Sequence, residues 1–580
     1  MIQFLTNVRL AASTALQHLT DDPMVLYLQL SRRLPTSVVQ PVARLVCGIA
    51  SKSSVAVPVL LASMARGDDS DVVRRLQLAV ERRVAGEQAR KLADLALAAN
   101  LPVISDVLLG GALGCRGLKP AQARRLWHDG ELSRAVAVLG GAGVPGRRQR
   151  ARLAGELAVL QGAAPSLSRR DFTPVPGRVL HLLTNSLPHT ASGYAQRSHS
   201  IMLAQQHQGW DVLAVTRLGY PVQVGKLLAR SIDVVDGVRY RRLLPARLAS
   251  TLDARLQQQA EELLSVALEF RPSVLHTTTH FVNGMVVRAV AEALDIPWVY
   301  EVRGQLADTW ASTRVPSARG SEKYSLFQQR EAETMAAADL VVTLGEAMKA
   351  NIVAAGIPVG RVIITPNAVG GEFLEEPLDA VTARRELGLP ESGSYIGTVS
   401  SLVPYEGIDD LVAAFELLAP SIPDLRLLIV GDGTSLPSLK EAARHSVFAD
   451  RIMFTGRVPR VHARLFHQAL DVFVVPRKDL DVTRSVTPLK PVEALACARP
   501  VLASRLPALQ EIVRDGTNGL LVEAGDRHDL ATKLGRLLGS RELRNRLGQA
   551  GRQEVLNNRT WQANALVLDA AYEQLMEALR

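Results

Sequence analysis

The sequence predicts an α/β protein in which two facing Rossmann-like domains follow an all-helical segment. Before about residue 170, apolar residues recur at helical spacing, as in VVRRLQLAVERRV. From Arg178 onward, short apolar strands alternate with helical stretches, which is typical of a parallel sheet covered by helices. The strands fall into two successive series of six with a break near residues 375–394, so we expect two domains of this kind.

The first series of predicted strands is VLHLLT (179–184), DVLAVT (211–216), VLHTTT (274–279), WVYEV (298–302), LVVTL (340–344) and VIITP (362–366). The second is YIGTVS (395–400), LRLLIVG (425–431), RIMFTG (451–456), DVFVVP (471–476), PVLAS (500–504) and GLLVE (519–523). We therefore divide the chain into a basic helical segment, two Rossmann-like domains and a C-terminal helix: residues 1–170, 177–380, 390–555 and 556–580. Helix pairs such as ARRLWHDGELSRAVAVL resemble solenoid repeats, although no fixed period is present.

The positive charge of the chain is concentrated in the helical segment. Residues 1–170 hold 23 of the 67 basic side chains but only 12 of the 57 acidic ones, and the rest of the chain is close to neutral. Basic surfaces can meet nucleic acid, anionic lipid or an acidic protein. Here the arginines are scattered among acids, which favours solvated helix faces and gives no reason to expect nucleic acid. A peripheral membrane or protein contact through this segment stays open.

Composition excludes several other classes of protein. The chain is 47% hydrophobic and 21% charged, which is ordinary for a globular protein and unlike a disordered one. Its three cysteines contain no CxxC pair, so a disulfide framework or zinc knuckle is not expected and a reducing cytoplasm fits. No secretory signal is visible, and charges and prolines interrupt the most apolar stretch, residues 38–64. We therefore predict a cytoplasmic protein, with the inner face of the membrane as an alternative site.

The stretch PRKDLDVTRSVTPLKPVEALACARPVLAS (476–504) carries the strongest chemical pattern. A helix is predicted to begin near Pro488, with Thr487 as N-cap and Leu489 and Lys490 in its first turn. The free N–H groups and the dipole of such a turn bind anions. A lysine is unfavourable at this end of an isolated helix, so a bound phosphate is expected beside it. Glu493, one turn further on, is placed to accept hydrogen bonds from ribose hydroxyls.

The run from Leu489 to Ser504, together with LLIVGDGTSLPSLK (427–440) and EIVRDGTNGLLVEAGD (511–526), resembles retaining glycosyltransferase family 4. The resemblance implies the GT-B fold, with an acceptor domain at residues 177–380 and a nucleotide-sugar domain at residues 390–555. It also implies that Glu493 binds the ribose of the donor.

Three charged residues of the family pattern are replaced in this chain. Ser485 stands where the family has a glutamate, and Ser401 and Glu406 stand where it has an arginine and a lysine. The PYEG (404–407) and TPLKPxEA motifs resemble one branch of the family, so the departure indicates a subtype. We expect the cations that stabilise the departing diphosphate to be Lys490 and Arg484, with Ser401 still at the donor.

Two further loops are expected to bind the donor. The turn Gly431-Asp432-Gly433 follows a predicted strand, and in the family this turn lies beside the nucleotide. Glycine allows the close approach of backbone and ligand, although the same tripeptide also forms ordinary tight turns. The stretch FTGRVPR (454–460) resembles the loop that lines the base pocket, so Arg457 is a further donor candidate beside a surface role.

The first domain supplies candidates near the acceptor. In SLPHTASGYAQRSHS (186–200), the resemblance implies that Gly193 and its neighbour Tyr194 approach the donor phosphates and the acceptor. We assign Tyr194 to the acceptor side, with His189 as a further candidate there. A capped loop and a solvated helix explain the same stretch without a ligand.

A pair of histidines and an ion pair follow further along the same domain. The family often has a histidine at the end of the strand VLHTTT, and this chain offers His276 and His280. His280 lies nearer the mouth of the cleft and is the catalytic candidate; His276 is assigned to the acceptor side. Glu301 and Arg303 end the strand WVYEV, where an arginine can pair with an acceptor carboxylate or phosphate or with Glu301 itself.

Taken together, these residues predict a glycosyltransferase that moves a sugar from a nucleoside-diphosphate sugar to a glycan, lipid or small-molecule acceptor. Asp479-Leu-Asp481 has the spacing of a metal-binding pair but is interpreted as a loop, so neither a metal nor a cofactor is expected. Two alternatives remain open: a nucleotide-sugar epimerase, and a non-catalytic scaffold that binds sugar nucleotides.

Overall fold

A computed structural model describes residues 2–21, 24, 27, 36–51 and 53–578. Within these residues, the chain before residue 162 forms helices that pack mainly against their neighbours in sequence. They are α1 (Ile2–Asp21), α2 (Thr36–Ile49), α3 (Val57–Arg66), α4 (Asp69–Glu81), α5 (Gly86–Ala98), α6 (Pro102–Gly110), α7 (Leu118–Asp129), α8 (Leu132–Val138) and α9 (Val144–Leu160).

This helical segment is packed onto the first Rossmann-like domain. Asn7 of α1 donates from Nδ2 to the carbonyl oxygens of Leu227 and Ala229 at 2.9 Å. Leu10 of α1 and Leu157 of α9 belong to the hydrophobic core of that domain. The segment therefore stabilises the domain, because its inner helices bury apolar surface against it.

The first domain contains an eight-stranded sheet whose order is β3-β4-β2-β1-β5-β6-β7-β8. Its strands are β1 (Arg178–Leu183), β2 (Asp211–Thr216), β3 (Ile232–Val235), β4 (Val238–Arg242), β5 (Val274–Thr278), β6 (Trp298–Val302), β7 (Leu340–Thr343) and β8 (Val362–Ile364). Its helices are α10 (Gly193–His207), α11 (Leu252–Phe270), α12 (Phe281–Leu294), α13 (Leu306–Ser312), α14 (Glu322–Ala337) and α15 (Glu346–Ala354).

The hairpin formed by β3 and β4 is absent from the predicted strands. Asp236 and Gly237 connect the two strands, and both have positive φ, 48° and 85°. Two residues of positive φ form the turn whose twist suits a hairpin, and Asp-Gly is a favoured sequence for it. That dipeptide was the available signal. The flanking strands were overlooked because β3 is largely exposed and β4 carries three arginines.

The second domain contains a six-stranded parallel sheet of order β11-β10-β9-β12-β13-β14. Its strands are β9 (Ser394–Val399), β10 (Leu425–Val430), β11 (Ile452–Gly456), β12 (Val472–Val475), β13 (Val501–Ser504) and β14 (Gly519–Val522). Its helices are α16 (Ala380–Glu386), α17 (Ile408–Leu418), α18 (Leu436–His445), α19 (Arg460–Ala469), α20 (Asp481–Ser485), α21 (Lys490–Ala496), α22 (Pro507–Gln510), α23 (Arg527–Gly539) and α24 (Arg541–Asn558). The strand order reverses between β9 and β12, and such a point opens a crevice for ligands. The two-domain α/β prediction is confirmed.

The last helix, α25 (Trp561–Ala578), returns to the first domain, where Leu568 and Tyr572 are fully buried in its core. The two chain segments that join the domains run side by side. Val369 and Thr560 form a parallel bridge, and the N–H of Trp561 donates to the carbonyl of Val369 at 3.0 Å. The backbone therefore passes between the two domains twice, and the two crossing segments are hydrogen-bonded to each other.

No helix of the described part of the chain is both long enough and apolar enough to cross a bilayer.

Gly407 lies where two loops approach each other closely, at the point where the strand order of the second sheet reverses. Its φ is +69°, and a Cβ built on it would lie 1.8 Å from the carbonyl oxygen of Pro476. Gly456 in the same domain has almost the same φ, +70°, but no atom within 4 Å of its Cβ position.

We expect Gly456→Ala to cost about 1 kcal/mol from the left-handed backbone alone. Gly407→Ala should cost about 3 kcal/mol, because overpacking adds to that strain. Thermal unfolding of the two variants measures the difference. Equal melting temperatures would show that the backbone at Pro476 moves to accommodate the added methyl group.

Candidate active site between the two domains

A cavity of about 410 Å³ lies between the two sheets and is called the cleft below. From the second domain it is lined by Ser400 and Ser401 after β9, by Pro476 and Arg477 after β12, and by residues 486–491. It therefore sits at the reversal of strand order. From the first domain it is lined by the start of α10, by Arg303 after β6 and by Leu344 after β7. A cavity of this size matches a typical small-molecule site.

The helix on the second wall begins later than the sequence indicated. We expected it to begin near Pro488 with Thr487 as N-cap, but α21 begins at Lys490 with Leu489 as N-cap. The reason is Pro491, which lacks the N–H that would bond to the carbonyl of Thr487. That carbonyl accepts a hydrogen bond from Asn367 Nδ2 at 2.8 Å instead. The Thr487 hydroxyl is buried in the cleft wall without a hydrogen-bond partner.

Glu493 is the buried centre of a charge cluster on this wall. Its Oε2 lies 2.9 Å from Lys490 Nζ and 3.3 Å from His467 Nε2, and its Oε1 lies 3.3 Å from Arg460 Nη1. Burial by itself raises the pKa of Glu493, but Lys490, His467 and Arg460 outweigh it and hold the pKa well below the ordinary 4.5. The carboxylate is therefore charged at neutral pH. Lys490 keeps a third of its side chain exposed.

Arg477 and Glu406 form a second ion pair at the cleft. Arg477 donates from Nη2 to Glu406 Oε1 at 2.7 Å and from Nε to Oε2 at 3.1 Å. Its Nη1 donates to the carbonyl of Val486 at 2.8 Å. This two-pronged geometry fixes the guanidinium plane at the end of β12.

The first-domain wall is built on a buried arginine–glutamate–arginine cluster. Arg197 donates from Nε to Glu301 Oε1 at 2.7 Å, and Arg303 donates from Nη2 to Glu301 Oε2 at 2.5 Å. Burial alone raises the pKa of Glu301, but Arg303 and Arg197 outweigh it and hold the pKa well below 4.5. Arg303 also donates from Nη1 to the Tyr194 carbonyl and the Ser198 hydroxyl, at 2.9 and 2.7 Å. The cluster thereby fixes the first turn of α10 at the cleft.

Two family models match the two domains. Residues 192–368 match the "glycosyl transferase 4-like domain", and residues 379–554 match "glycosyl transferases group 1". Together these matches cover more than half of the chain. The chain belongs to glycosyltransferase family 4.

Two curated proteins are among the relatives of this chain. One is the GDP-mannose-dependent α-(1-6)-phosphatidylinositol monomannoside mannosyltransferase of Mycolicibacterium smegmatis, 32% identical over 34% of this chain and 52% of that protein. Another is the D-inositol 3-phosphate glycosyltransferase of Acidothermus cellulolyticus, 33% identical over 36% of this chain and 47% of that protein. The chain thus spans about half the length of these relatives.

Solved structures share the fold of this glycosyltransferase. Sucrose-phosphate synthase of Thermosynechococcus elongatus superposes with a TM-score of 0.58 at 22% identity, over 69% of this chain and all of that one. Anabaena HepE in complex with UDP superposes with a TM-score of 0.54 at 15% identity, over 68% of this chain and all of that one. The predicted GT-B fold is confirmed.

The structure separates the two cations that the sequence suggested for the diphosphate. Lys490 lines the cleft. Arg484 is 55% exposed and pairs with Asp479 at 2.5 and 2.7 Å, outside the residues that line the cleft. Arg477 lies in the cleft, where it pairs with Glu406. A second cation on this wall therefore comes from the loop after β12.

Some of the remaining donor candidates line the cleft, and the others pack between loops. Leu489, Pro488, Ser401 and Gly193 line the cleft. A Cβ on Gly193 would meet no atom within 4 Å, so the space before α10 is open.

Gly431 and Gly433 are needed for packing between loops. A Cβ on them would lie 1.8 Å from the Ser400 carbonyl oxygen and 2.2 Å from that of Leu402. Asp432 accepts a hydrogen bond from the N–H of Gly433 at 2.8 Å.

The exposed Arg457 reaches across to the first domain. It donates from Nη2 to the carbonyl of Ala191 at 3.3 Å. This contact ties the loop after β11 to the loop before α10.

The acceptor-side candidates do not gather at one point. Tyr194 lines the cleft, with its hydroxyl 3.5 Å from the Arg303 carbonyl. His189 pairs with Asp233 of β3 at 3.0 Å, beyond the residues that line the cleft. His276 is fully buried in the domain core, 2.5 Å from the hydroxyl of Tyr572.

His280, the catalytic candidate, forms the N-cap of α12. Its Nδ1 accepts from the N–H of Val282 at 3.4 Å, and its ring stacks on Phe327 at 5.2 Å. It is not among the residues that line the cleft. Burial, with a smaller contribution from Lys323, lowers its pKa from 6.5 to about 4, so the ring is neutral at pH 7.

Several residues that shape the site carry no local signal in the sequence. Arg460, His467 and Tyr572 reach the site's charge clusters only through contacts between distant segments. Glu511 accepts from the N–H groups of Glu346 and Ala347 and so caps α15 of the opposite domain. Within the described residues, no group of three or more His, Cys, Asp or Glu side chains is arranged to hold a metal ion.

The pKa of His280 predicts how its replacement changes stability with pH. The folded pKa lies below that of the unfolded chain, so stability present above pH 6.5 is lost as the pH falls toward 4. This difference in pKa corresponds to about 3 kcal/mol in the free energy of unfolding. His280→Asn keeps a capping acceptor and removes the titration.

Chemical unfolding at pH 7 should therefore give similar free energies of unfolding for wild type and His280→Asn. At pH 4.5, the free energy of unfolding should fall less for the variant than for wild type. A large loss of activity in a fully stable His280→Asn protein would instead support the catalytic role.

Proposed function

We propose that this protein transfers a sugar from a nucleoside-diphosphate sugar, bound in the cleft, to a hydroxyl group of an acceptor held against the first domain. The observation that supports this most is the position of the cleft. It lies at the reversal between β9 and β12 and meets the N-terminal turn of α10 across the domain boundary. Sugar and acceptor would thus be enclosed by two walls that are already in contact.

The chemistry of the second wall suits a diphosphate. Lys490 and Arg477 both line the cleft, and the buried Thr487 hydroxyl has no hydrogen-bond partner among the described residues. Transfer breaks the bond between the anomeric carbon and a phosphate oxygen, so charge develops on the diphosphate as it leaves. Fixed cations stabilise that charge without reorganisation, and neither a metal nor a cofactor is part of this proposal. Glu493 is the proposed ribose acceptor, with Lys490 and Arg460 holding its carboxylate in place.

The names of the relatives indicate only the general chemical class of the donor and the acceptor. The names above include one that is GDP-mannose-dependent and two that refer to inositol-containing molecules, and the HepE structure contains UDP. We propose a hexose donor, retention of configuration at the anomeric carbon, and a glycan, lipid or small-molecule acceptor. An epimerase would release an altered sugar without an acceptor, and a scaffold would bind the donor without turning it over. Product analysis separates the three.

Donor binding tests which cations belong to the site. Calorimetric titration with UDP-, GDP- and ADP-sugars should identify one donor, and Lys490→Ala and Arg477→Ala should each weaken its binding about 10- to 100-fold. A charge-assisted hydrogen bond is worth about 1.5–3 kcal/mol, which gives that range. Arg484→Ala removes a positive charge from helix α20, near these residues in the chain but outside the cleft, and should change binding less than twofold.

If Arg484→Ala weakens binding as much as Lys490→Ala does, the sequence-based assignment is correct and the cleft rearranges on binding. If no sugar nucleotide binds to the wild type, the proposed function fails.

The helical segment provides a surface that suits a membrane. Val42, Leu45 and Ile49 of α2 are 60%, 63% and 79% exposed and follow one another at helical spacing on one face. Arg44 is exposed beside them, and the segment carries most of the excess positive charge. We propose that this face binds the anionic surface of a membrane, which would place the enzyme at the cytoplasmic side.

Flotation with vesicles of phosphatidylglycerol and phosphatidylcholine tests this contact. Val42→Asp should reduce the floated fraction several-fold, because a charge replaces an apolar side chain on the binding face. Val447→Asp is the matched control, since Val447 is 87% exposed but belongs to the second domain. Equal flotation of both variants, or none for the wild type, would reject the membrane and leave a protein partner to be sought.

A further inference from the structure

A row of buried polar side chains connects the C-terminal helix to the first-domain wall of the cleft. Within it, His181 Nε2 lies 2.9 Å from Gln205 Oε1, and Gln205 Nε2 donates to the hydroxyl of Tyr572 at 3.1 Å. The same hydroxyl lies 2.5 Å from His276 Nδ1, and His276 Nε2 lies 3.6 Å from Glu301 Oε2. Each of these side chains is less than 4% exposed.

The direction of the hydrogen bonds in this row follows from its donors. The Tyr572 oxygen accepts a hydrogen bond from Gln205 Nε2, so its own O–H is available to donate to His276 Nδ1. Burial lowers the pKa of His276, so the ring is neutral and carries a single proton. With Nδ1 accepting from Tyr572, that proton lies on Nε2, on the side that faces Glu301.

The far end of the row is the anchor of both cleft arginines. Glu301 accepts hydrogen bonds from Arg197 and Arg303, and both of these line the cleft. An N–H dipole at 3.6 Å is too distant for a hydrogen bond but still stabilises a buried carboxylate, because the surroundings screen the charge poorly. A ring nitrogen without its hydrogen would instead turn a lone pair toward the carboxylate and repel it.

We propose that Tyr572 is a positioning residue for sugar transfer: its hydroxyl fixes the tautomer of His276, which keeps Glu301, and through it Arg303, in place at the cleft. This inference rests on the proposed function only for its effect on turnover. The tautomer of His276 does not depend on the proposed function and can be measured without activity.

The chain offers a matched control for the loss of this hydroxyl. Tyr240 is also fully buried in the first domain, and its hydroxyl lies 2.7 Å from His199 Nδ1. His199 pairs with Asp236 on the hairpin and not with Glu301. Tyr572→Phe and Tyr240→Phe therefore remove the same kind of tyrosine–histidine bond, but only the first lies on the row to the cleft.

The experiment uses the full chain and whichever UDP-, GDP- or ADP-sugar it binds, with transfer of the sugar to water as the assay. We expect Tyr572→Phe to lower kcat about tenfold and leave the donor Kd within twofold, and to move the acid limb of the pH profile upward. The limb moves because His276 loses the donor that favours its neutral form. Tyr240→Phe should lower the melting temperature by a similar amount and leave kcat unchanged.

Nitrogen NMR of the protein labelled at histidine gives the second readout, with His276→Gln to assign the signal. In the wild type, Nδ1 of His276 should show the shift of an unprotonated nitrogen and Nε2 that of a protonated one. The reverse pattern overturns the proposal even if Tyr572→Phe does not fold.

Equal kcat values for Tyr572→Phe and Tyr240→Phe would also overturn it. If the wild type binds and turns over no donor while the tautomer is as expected, the proposed function fails and the hydrogen-bond row stands.

Discussion

The buried contact between Arg197 and Glu301 ties the first sheet to both chain segments that join the two domains. Arg197 lies on the first helix after β1, and its guanidinium also donates to the carbonyls of Thr365 and Pro366 in the segment that crosses to the second domain. It lies 5.5 Å from the ring of Trp561, where the chain returns. A buried charge without its partner costs several kcal/mol, so the removal of Glu301 would release all of these contacts at once. One ion pair thus links the sheet, both crossings and the cleft wall.

The cations that line the described cleft are each paired with a carboxylate. Arg197 and Arg303 share Glu301, Arg477 pairs with Glu406, and Lys490 pairs with Glu493. Each pair fixes a cation in one geometry, which lowers the entropy lost when a ligand binds. Glu406 has this role for Arg477: it orients the arginine of the neighbouring loop, so that this cation reaches the cleft.

The secondary-structure pattern could be predicted well because it depends on local periodicity. All six strands of the second domain, and the parallel strands of the first except β4, were visible as apolar runs between helices. The hairpin of β3 and β4 was missed because its strands carry the charges of an edge. The predicted start of α21, near Pro488, is two residues too early. The reason is Pro491, because it lacks the N–H that would bond to the carbonyl of Thr487 and close the turn that Thr487 would cap.

The site residues were harder to predict, because their roles depend on which partners lie nearby. Arg484 and Arg477 look equivalent in sequence, yet one pairs with its neighbour Asp479 at the surface and the other with Glu406 from a distant loop. His280 and His276 both suited a catalytic histidine, and the structure makes one a helix cap and buries the other against Tyr572. Local spacing contains no information about such long-range contacts.

The sequence by itself determined the two-domain α/β fold and the family, because these are encoded in short continuous patterns. Only the tertiary structure decided which cations face the cleft, how the C-terminal helix joins the first domain, and which carboxylate fixes each arginine. The physical reason is that an ion pair or a buried hydrogen bond forms between segments far apart in the chain. Its strength depends on distance and burial, which only the folded chain defines.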